Sequence, residues 1–272
     1  MSPKPTDSPS PLDDPNNPAD CKDISRQNPP QESLGETAKT ILIAIILALL
    51  VRTFLFEPFN IPSTSMVPNL LVGDYLFISK YSYGYSQYSL PFGVAKFEGR
   101  FMEEKPKQGD IVVFKLPSNT NIDYVKRLVG MPGDKIQMIN GRLYINDEIV
   151  PREELGMADY KNENNQTVKV TKYMETLPNG VKHVIYEKSD TGPLDNTDQF
   201  VVPANHYFMM GDNRDNSQDS RVTSLVGYVP FDNFEGRAEL IFFSTNGKAR
   251  LWEFWKWPWT IRYDRLFESL KV

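Results

Sequence analysis

An unbroken apolar run at residues 41–51 limits the folds open to this chain more than any other feature. Residues 37–56 form a stretch in which only Lys39 and Arg52 carry charge, and it is close to the ~20 residues that an α-helix needs to cross a bilayer. A buried core helix would show a polar stripe, and a cleaved signal peptide would be followed by small residues rather than by bulky Phe54 and Phe56. The pattern therefore predicts one uncleaved transmembrane anchor over residues 37–57.

The residues before this anchor differ sharply in composition. Residues 1–36 hold eight of the 21 prolines, seven acidic and three basic side chains, and no aromatic residue. Such a segment cannot bury enough surface to offset the entropy of ordering, so we expect a disordered tail. The whole chain has a net charge of -5 without a basic excess, which argues against nucleic-acid binding. Cys21 is the only cysteine, which excludes an intrachain disulfide and a cysteine metal cluster.

The chain after the anchor is rich in strand and turn signals. Residues 70–78, 109–115 and 122–129 are rich in β-branched and aromatic residues, and Gly-Asp pairs lie within the first two and just after the third, which is typical of short antiparallel strands. Asn140-Gly141 predicts a two-residue hairpin within residues 136–202, a region that we interpret as a smaller inserted second domain. The expected fold is mainly β: an antiparallel, barrel-like core of residues 58–135 and 203–272, with a β-rich insertion, preceded by one transmembrane helix.

The segment of residues 59–70 is a candidate site for a nucleophile. Pro62 and Pro68 fix their own backbone φ angles and favour extended backbone in the residues before them, so Ser65 lies on a stiff, non-helical connection. Clusters of Ser, Thr and Pro also mark ordinary turns. The segment alone therefore leaves the choice between a turn and a nucleophile open.

A serine nucleophile needs a base, and two lysines are candidates. Period-two alternation in a strand places Lys126 on one face with Tyr124 and Leu128, among apolar neighbours. Lys115 is the rival, on a face with apolar residues of its own strand. A lysine acts as a base only when neutral, so burial must lower its pKa from the ordinary value near ~10.4. The alternative interpretation is a basic pair on a solvated edge strand.

Other chemistries have weaker support. His183 and His206 are the only histidines, and no Gly-x-Ser-x-Gly elbow and no Ser-x-x-Lys pattern accompanies any serine. The polar loop of residues 211–221 has the acidic spacing of a calcium loop, but Arg214 occupies a ligand position and no glycine follows in register. We therefore expect no metal and no cofactor, and the loop remains either a self-bonded turn or a set of orienting groups.

Four blocks of this chain resemble, in order, those of the bacterial type I signal peptidases. These blocks are residues 61–70, 109–115, 123–134 and 211–221, and the family consists of membrane-bound Ser-Lys endopeptidases that remove signal peptides from exported proteins. The resemblance implies Ser65 as nucleophile and Lys126 as general base, with the Ser63 hydroxyl and the Ser65 backbone N–H forming the oxyanion hole. It also implies that Ser217 orients Lys126, while Asp219 and Arg221 brace the loop.

The resemblance also implies the substrate preference. Shallow pockets for small side chains at the first and third positions before the cleaved bond suit an Ala-x-Ala sequence, and their implied lining is Phe59, Ile61, Pro62, Met66, Leu70, Leu76, Val113, Tyr124 and Val125. Two positions depart from the family pattern: Thr64 stands where glycine is common, and Asn69 where threonine is common. Neither departure removes a reacting group.

The implied partners are signal-peptide-bearing precursor proteins and the lipid bilayer. The expected location is the bacterial plasma (inner) membrane, as a single-pass protein with a cytoplasmic N-terminus and the catalytic domain on the outer or periplasmic face. A specialised processing peptidase of the same Ser-Lys class and a catalytically idle, membrane-anchored binding protein are the alternatives. Residues 248–272 contain all four tryptophans beside basic residues, a composition that fits either a membrane interface or a terminal element packed on the core.

Overall fold

The computed structural model describes residues 34–89, 97 and 99–271. The described chain divides into two units between Leu47 and Ala48. Most of the predicted disordered tail, residues 1–33, lies outside the described residues. The mainly β, antiparallel architecture expected from the sequence is confirmed.

The first helix, α1, is Leu34–Phe54, and none of its residues is buried. It begins three residues before the predicted anchor and ends at Phe54, because the chain becomes extended at Phe56. Within the described part of the chain it is the one helix long and apolar enough to cross a membrane, with a mean hydropathy of 2.1. The second helix, α2, is the single turn Trp257–Thr260.

The strands, numbered in chain order, are β1 (Phe56–Asn60), β2 (Asp74–Ser79), β3 (Ile111–Leu116), β4 (Asn119–Gly130), β5 (Lys135–Ile139), β6 (Arg142–Ile145), β7 (Glu148–Ile149), β8 (Arg152–Lys161), β9 (Thr167–Thr176), β10 (Lys182–Glu187), β11 (Phe200–Val201), β12 (His206–Met210), β13 (Val229–Pro230), β14 (Phe234–Ser244) and β15 (Glu268–Ser269).

The largest sheet carries the order β1-β2-β14-β3-β4-β12-β13, with β15 added to β14. Residues 136–202 supply two smaller sheets, one of β8, β9 and β10 and one of β5, β6, β7 and β11, in which β5 begins at Lys135. The Asn140-Gly141 hairpin is confirmed, since Ile139 pairs with Arg142 and the φ angles of the two turn residues are 48° and 70°. Positive φ at both central residues is what a type I′ turn requires.

A hydrophobic cluster supports the segment between β1 and β2. It joins Ile61 and Met66 of that segment to residues of β2, β3, β4 and β14, including Leu76, Val113 and Val125. Burying a side chain of this size stabilises the fold by about 1.5–3 kcal/mol. The segment that carries Ser65 is therefore held from beneath by the sheet.

The base of the same segment is held by a buried carboxylate. Asp74 is fully buried, and its side chain accepts hydrogen bonds from the Arg262 and Arg265 guanidiniums, at 3.0 and 2.7 Å, and from the Ser244 hydroxyl at 2.7 Å. Arg265 also donates to the backbone oxygen of Asn69 at 2.9 Å. A buried charge is tolerated when it is paired and hydrogen-bonded in this way, so two distant arginines fix the loop from behind.

The tryptophan-rich segment, residues 248–272, agrees in part with packing on the core and in part with an exposed, interface-like surface. Trp257 packs against Phe243 with ring centroids 4.9 Å apart. Trp252, Trp255 and Trp259 are largely exposed. The segment thus has one packed ring and three rings that face outward.

Candidate active site

An open cleft of about 520 Å³ lies over the segment between β1 and β2. Its walls come from that segment, from β4, from the tip of the β8–β9 hairpin and from the loop of residues 211–221. The predicted site residues that line it are Phe59, Ile61, Pro62, Ser63, Ser65, Met66, Tyr124, Val125, Lys126 and Ser217. Four stretches separated in sequence therefore converge on one surface.

Ser65 and Lys126 form a hydrogen-bonded pair on the wall of this cleft. The Lys126 Nζ donates to the Ser65 Oγ at 2.7 Å and to the Val125 backbone oxygen at 3.0 Å. Both side chains are buried, with 7% and 4% of their residue surfaces exposed. Lys126 occupies this place because β4 pairs with β3 in a register that sets it opposite Val112. A hydroxyl within hydrogen-bond reach of an amine is the arrangement that proton abstraction requires.

Burial changes the acidity of this lysine. Removal from water lowers the pKa of Lys126 from 10.5 to about 8, and the positive charge of Arg221 acts in the same direction. The carboxylates of Asp219 and Asp212 raise the pKa and so limit the shift. The neutral amine is consequently present in useful amounts near neutral pH, as a general base requires.

The rival lysine has the opposite environment. Burial acts to lower the pKa of Lys115, but its hydrogen bonds and ion pairs with Asp123 and Glu235 outweigh this and raise the pKa above its ordinary value. Lys115 therefore stays charged and does not line the cleft. Neither His183 nor His206 lines it either, and burial with the nearby charges of Arg127 and Arg214 keeps His183 neutral by lowering its pKa.

Two donor groups lie beside the Ser65 hydroxyl. The Ser63 hydroxyl is 3.3 Å from the Ser65 Oγ and is exposed to the cleft. The Ser65 backbone N–H makes no hydrogen bond to the described part of the chain, while the Ser65 backbone oxygen accepts one from the Asn213 N–H at 3.0 Å. The amide is thus without a partner in the described part of the chain, whereas the Ser63 hydroxyl shares a long hydrogen bond with the Ser65 Oγ.

The loop of residues 211–221 closes the site from behind. Asp219 and Arg221 form a fully buried ion pair, and Asp219 also accepts the Gly211 N–H at 3.0 Å. Burial alone would raise the pKa of Asp219, but Arg221 holds it below its ordinary value. Ser217 lines the cleft and its hydroxyl interacts with the Asp219 carboxylate, whereas the Lys126 bonds go to Ser65 and Val125.

Gly211 allows this loop to approach the nucleophile segment. A Cβ at Gly211 would stand 2.2 Å from the Ser217 Oγ and 2.6 Å from the Ser65 backbone oxygen. Both distances are well inside van der Waals contact. The position therefore admits only glycine without displacing one of the two segments.

The comparisons with known proteins decide the family. The sequence matches the family described as "Signal peptidase, peptidase S26" over residues 34–243. The chain belongs to this signal peptidase family. It is similar to proteins named signal peptidase I from Rickettsia akari, with 42% identity over 263 residues covering 88% of this chain and 96% of that protein, and from Rickettsia prowazekii, with 42% identity over 245 residues covering 83% and 90%.

A solved structure is also similar to this signal peptidase family member. It is a signal peptidase I from Enterococcus faecalis, 27% identical, which covers 49% of this chain and 97% of its own, with a TM-score of 0.29.

Three of the residues that family resemblance placed in the substrate pockets of a signal peptidase lie deeper than the cleft surface. Leu70, Leu76 and Val113 are fully buried in the hydrophobic cluster. They do not line the cleft but pack under its lining residues, such as Ile61 and Met66. Leu70, Leu76 and Val113 therefore support the cleft-lining side chains of Ile61 and Met66 from below.

The sequence analysis missed several residues at the site of this signal peptidase. The Thr64 hydroxyl donates to the Glu163 carboxylate, which also accepts the Thr64 N–H at 3.2 Å, and the Asn216 side-chain amide donates to the Thr64 hydroxyl at 2.6 Å. Asn69 donates to the Val184 backbone oxygen and to the Asp212 carboxylate, both at 2.7 Å. Both departures from the family pattern thus bind residues of the 136–202 region, and no local sequence pattern signals such contacts.

Proposed function

We propose that this chain is a membrane-bound serine endopeptidase that removes N-terminal signal peptides from exported precursor proteins. The observation that carries the proposal is the 2.7 Å hydrogen bond between the Lys126 Nζ and the Ser65 Oγ, made by a lysine whose pKa burial lowers to about 8. Family membership supports the substrate class, because the relatives named above carry the name signal peptidase I.

The reaction is an acyl transfer in two halves. Neutral Lys126 takes the proton of the Ser65 hydroxyl as the Ser65 Oγ attacks the carbonyl carbon of the scissile peptide bond. The Ser63 hydroxyl and the Ser65 backbone N–H stabilise the oxyanion that develops. Lys126 then gives the proton to the leaving amine, and an acyl-enzyme ester remains on Ser65. In the second half, water attacks this ester, with Lys126 again accepting a proton, and Ser65 is regenerated.

Asp219, Arg221 and Ser217 serve as positioning residues in this proposal. Asp219 carries two opposing effects, because its charge raises the pKa of Lys126 while its bonds to Gly211 and Arg221 keep the loop in place. Ser217 lines the cleft, and its hydroxyl interacts with the Asp219 carboxylate, which places a donor and acceptor within the loop that faces Lys126.

The proposed substrate sequence is Ala-x-Ala before the cleaved bond. The cleft surface around Ser65 is formed by Phe59, Ile61, Met66, Tyr124 and Val125, with Pro62 at its edge. Ile61 and Met66, at 3% and 1% exposure, are bulky side chains packed into the wall of the cleft. A substrate side chain that needed them to move would disturb this packing, which favours small side chains such as alanine.

The proposed location is the plasma membrane of a bacterium, with α1 as the single anchor. Its length of 21 residues and mean hydropathy of 2.1 support a membrane span. We place the N-terminus in the cytoplasm and the catalytic unit on the outer face, because exported precursors present their cleavage sites there. Confinement of enzyme and precursor to one bilayer raises the frequency of productive encounter.

The test is cleavage of a labelled Ala-x-Ala precursor by the full-length protein in detergent. We compare the wild type with Ser65→Ala, Lys126→Ala and the matched control Lys115→Ala. Cleavage after the second alanine by the wild type and the control, with none from the other two, is the expected result. Turnover by folded Lys126→Ala rejects the dyad. No cleavage by a folded wild type instead supports a specialised processing peptidase or an idle binding protein, which reaction with a serine-directed probe at Ser65 then distinguishes.

A further inference from the structure

Three carboxylates meet beside the active site without serving the reaction described above. Glu187 ends β10, Asp195 lies in the loop that follows, and Asp215 lies in the short 3-10 helix Arg214–Asn216. One oxygen from each lies within 4.8 Å of the others. Glu187 and Asp195 are buried, at 2% and 0% exposure, whereas Asp215 is exposed. The cluster is thus closed on one side and open to solvent on the other.

Two of these carboxylates have oxygen atoms without a partner in the described part of the chain. Neither Oε1 nor Oε2 of Glu187 accepts a hydrogen bond, and the same holds for Oδ1 of Asp195. The nearest approach of a cation to Glu187 is Arg152, whose guanidinium is 3.9 Å from Oε1, beyond hydrogen-bond distance. A buried carboxylate without a donor is costly and calls for a ligand.

The arginines near the cluster make their hydrogen bonds to other carboxylates: Arg152 bonds Asp190, Arg214 bonds Glu175, and Arg221 bonds Asp219. Arg152 is within ion-pair range of Glu187, at 3.9 Å, but no described residue donates a hydrogen bond to the Glu187 carboxylate. The three carboxylates therefore share one place without a hydrogen-bonded cation. Like charges at this separation repel strongly in a buried setting.

We propose that Glu187, Asp195 and Asp215 form a binding site for a hard divalent cation, with calcium as the best-fitting ion. Carboxylate oxygens are the ligands that calcium prefers. Calcium accepts the irregular coordination that three carboxylates and water molecules would give, whereas magnesium demands near-ideal octahedral geometry. Solvent reaches the cluster at Asp215, which gives an entry path and room for water ligands.

Backbone contacts hold the carboxylates ready for such an ion. The N–H groups of Lys188 and Ser189 donate to the Asp215 Oδ2 at 2.6 and 3.1 Å, and the Gly192 N–H donates to the Asp195 Oδ2. A Cβ at Gly192 would stand 2.7 Å from the Asp215 Oδ1, so the loop backbone lies directly against the cluster. The bound ion ties the loop after β10 to the segment that carries Asn216 and Ser217 in the cleft wall.

A proton is the competing occupant of this cluster. Burial, with the charges of Asp215 and Asp195, raises the pKa of Glu187 to about 9 despite the opposing charges of Arg214 and Arg221. A neutral Glu187 would relieve the repulsion without any metal. A proton and a calcium ion as occupants predict different responses of the protein to added calcium and to the Glu187→Gln substitution.

The experiment uses full-length protein in detergent, freed of metal with EDTA and titrated with calcium chloride in a calorimeter. We expect one site per chain with a dissociation constant of about 10⁻⁴–10⁻³ M, the range of extracellular calcium modules. Glu187→Gln and Asp215→Asn should each weaken binding at least about tenfold, since each removes one of the charges that set the affinity. Glu153→Gln, at an exposed residue of β8, is the matched control and should bind as the wild type does.

Thermal unfolding gives a second readout that is independent of activity. With about 10 mM calcium the melting temperature of the wild type and of the control should rise by about 4 °C relative to EDTA, whereas the other two variants should shift little. Absence of binding heat and of any thermal shift in the wild type overturns the proposal in favour of the proton. Equal binding by wild type and both charge variants also overturns it. If Glu187→Gln does not fold, calcium binding and the thermal shift are compared between the wild type and Asp215→Asn, whose position is exposed.

Discussion

The acidity of Lys126 sets the pH dependence of cleavage. Because the pKa of this lysine is about 8 and the reactive form is neutral, the neutral fraction is about one half at pH 8, one tenth at pH 7 and one hundredth at pH 6. Cleavage should slow at low pH, because protonated Lys126 cannot accept the proton of the Ser65 hydroxyl. We therefore expect kcat/KM to fall about tenfold for each pH unit below about pH 7.

The assay is initial-rate cleavage of the labelled precursor between pH 6 and pH 9 in detergent, with kcat/KM taken at each pH. Tryptophan fluorescence at every pH checks that the fold persists, and a return to pH 8 must restore the rate. Lys115→Ala is the matched control, because Lys115 stays charged through its bonds to Asp123 and Glu235, and its profile should overlay that of the wild type. A profile that is flat from pH 6 to pH 8 would refute the reasoning.

The neighbouring charges provide a further check on the same profile. Asp219 raises the pKa of Lys126, so Asp219→Asn should move the acidic limb to lower pH even where total activity drops. The drop is expected because the change breaks a buried ion pair and costs about 3–5 kcal/mol of stability. A merely structural role for Asp219 would lower the rate without moving the limb.

Three further changes probe the surroundings of the dyad. Ser63→Ala should lower kcat by about 10²–10³-fold with little change in KM in steady-state assays, because it removes one donor to the oxyanion; an unchanged kcat would exclude that role. Gly211→Ala should abolish cleavage and lower the melting temperature, because the added Cβ would stand 2.6 Å from the Ser65 backbone oxygen; normal activity would contradict the close approach. For Glu163→Gln, Thr64→Val and the double variant, the free energies of unfolding measured with denaturant should give a coupling energy of about 1 kcal/mol. Strictly additive losses would mean that the hydrogen bond between Glu163 and Thr64 adds no stability.

Local patterns in the sequence were enough to predict the strands and the hairpin. Alternating β-branched and aromatic residues located β2, β3 and β4, and Asn140-Gly141 located the turn between β5 and β6. These features depend on neighbours within a few residues, which is the range over which periodicity and turn chemistry act.

The choice between the two lysines depended on longer-range information. Period-two alternation gave both Lys115 and Lys126 apolar neighbours on their own strands. Lys115 meets Glu235 across the sheet in addition to Asp123, and only family resemblance, not alternation, separated the two in the sequence. Burial of a side chain is decided by what packs over it, and that lies outside its own strand.

The contacts of the 136–202 region could not be predicted from the sequence either, because they join residues that are far apart in the chain. Glu163 and Thr64 are 99 residues apart, and Asn69 and Val184 are 115 apart. A carboxylate in a polar hairpin tip has the composition of an ordinary solvated turn. The acidic cluster around Glu187 was also missed, because the calcium-loop pattern looks for ligands within one short segment, whereas these come from three.

The arginines behind the nucleophile segment bear on how this protein matures. Arg265 is 191 residues downstream of the Asp74 carboxylate that it binds, and it also holds the backbone of Asn69. During synthesis the Ser65 segment emerges from the ribosome long before these guanidiniums exist. The contacts that hold its base can therefore form only after nearly all of the chain has been translated.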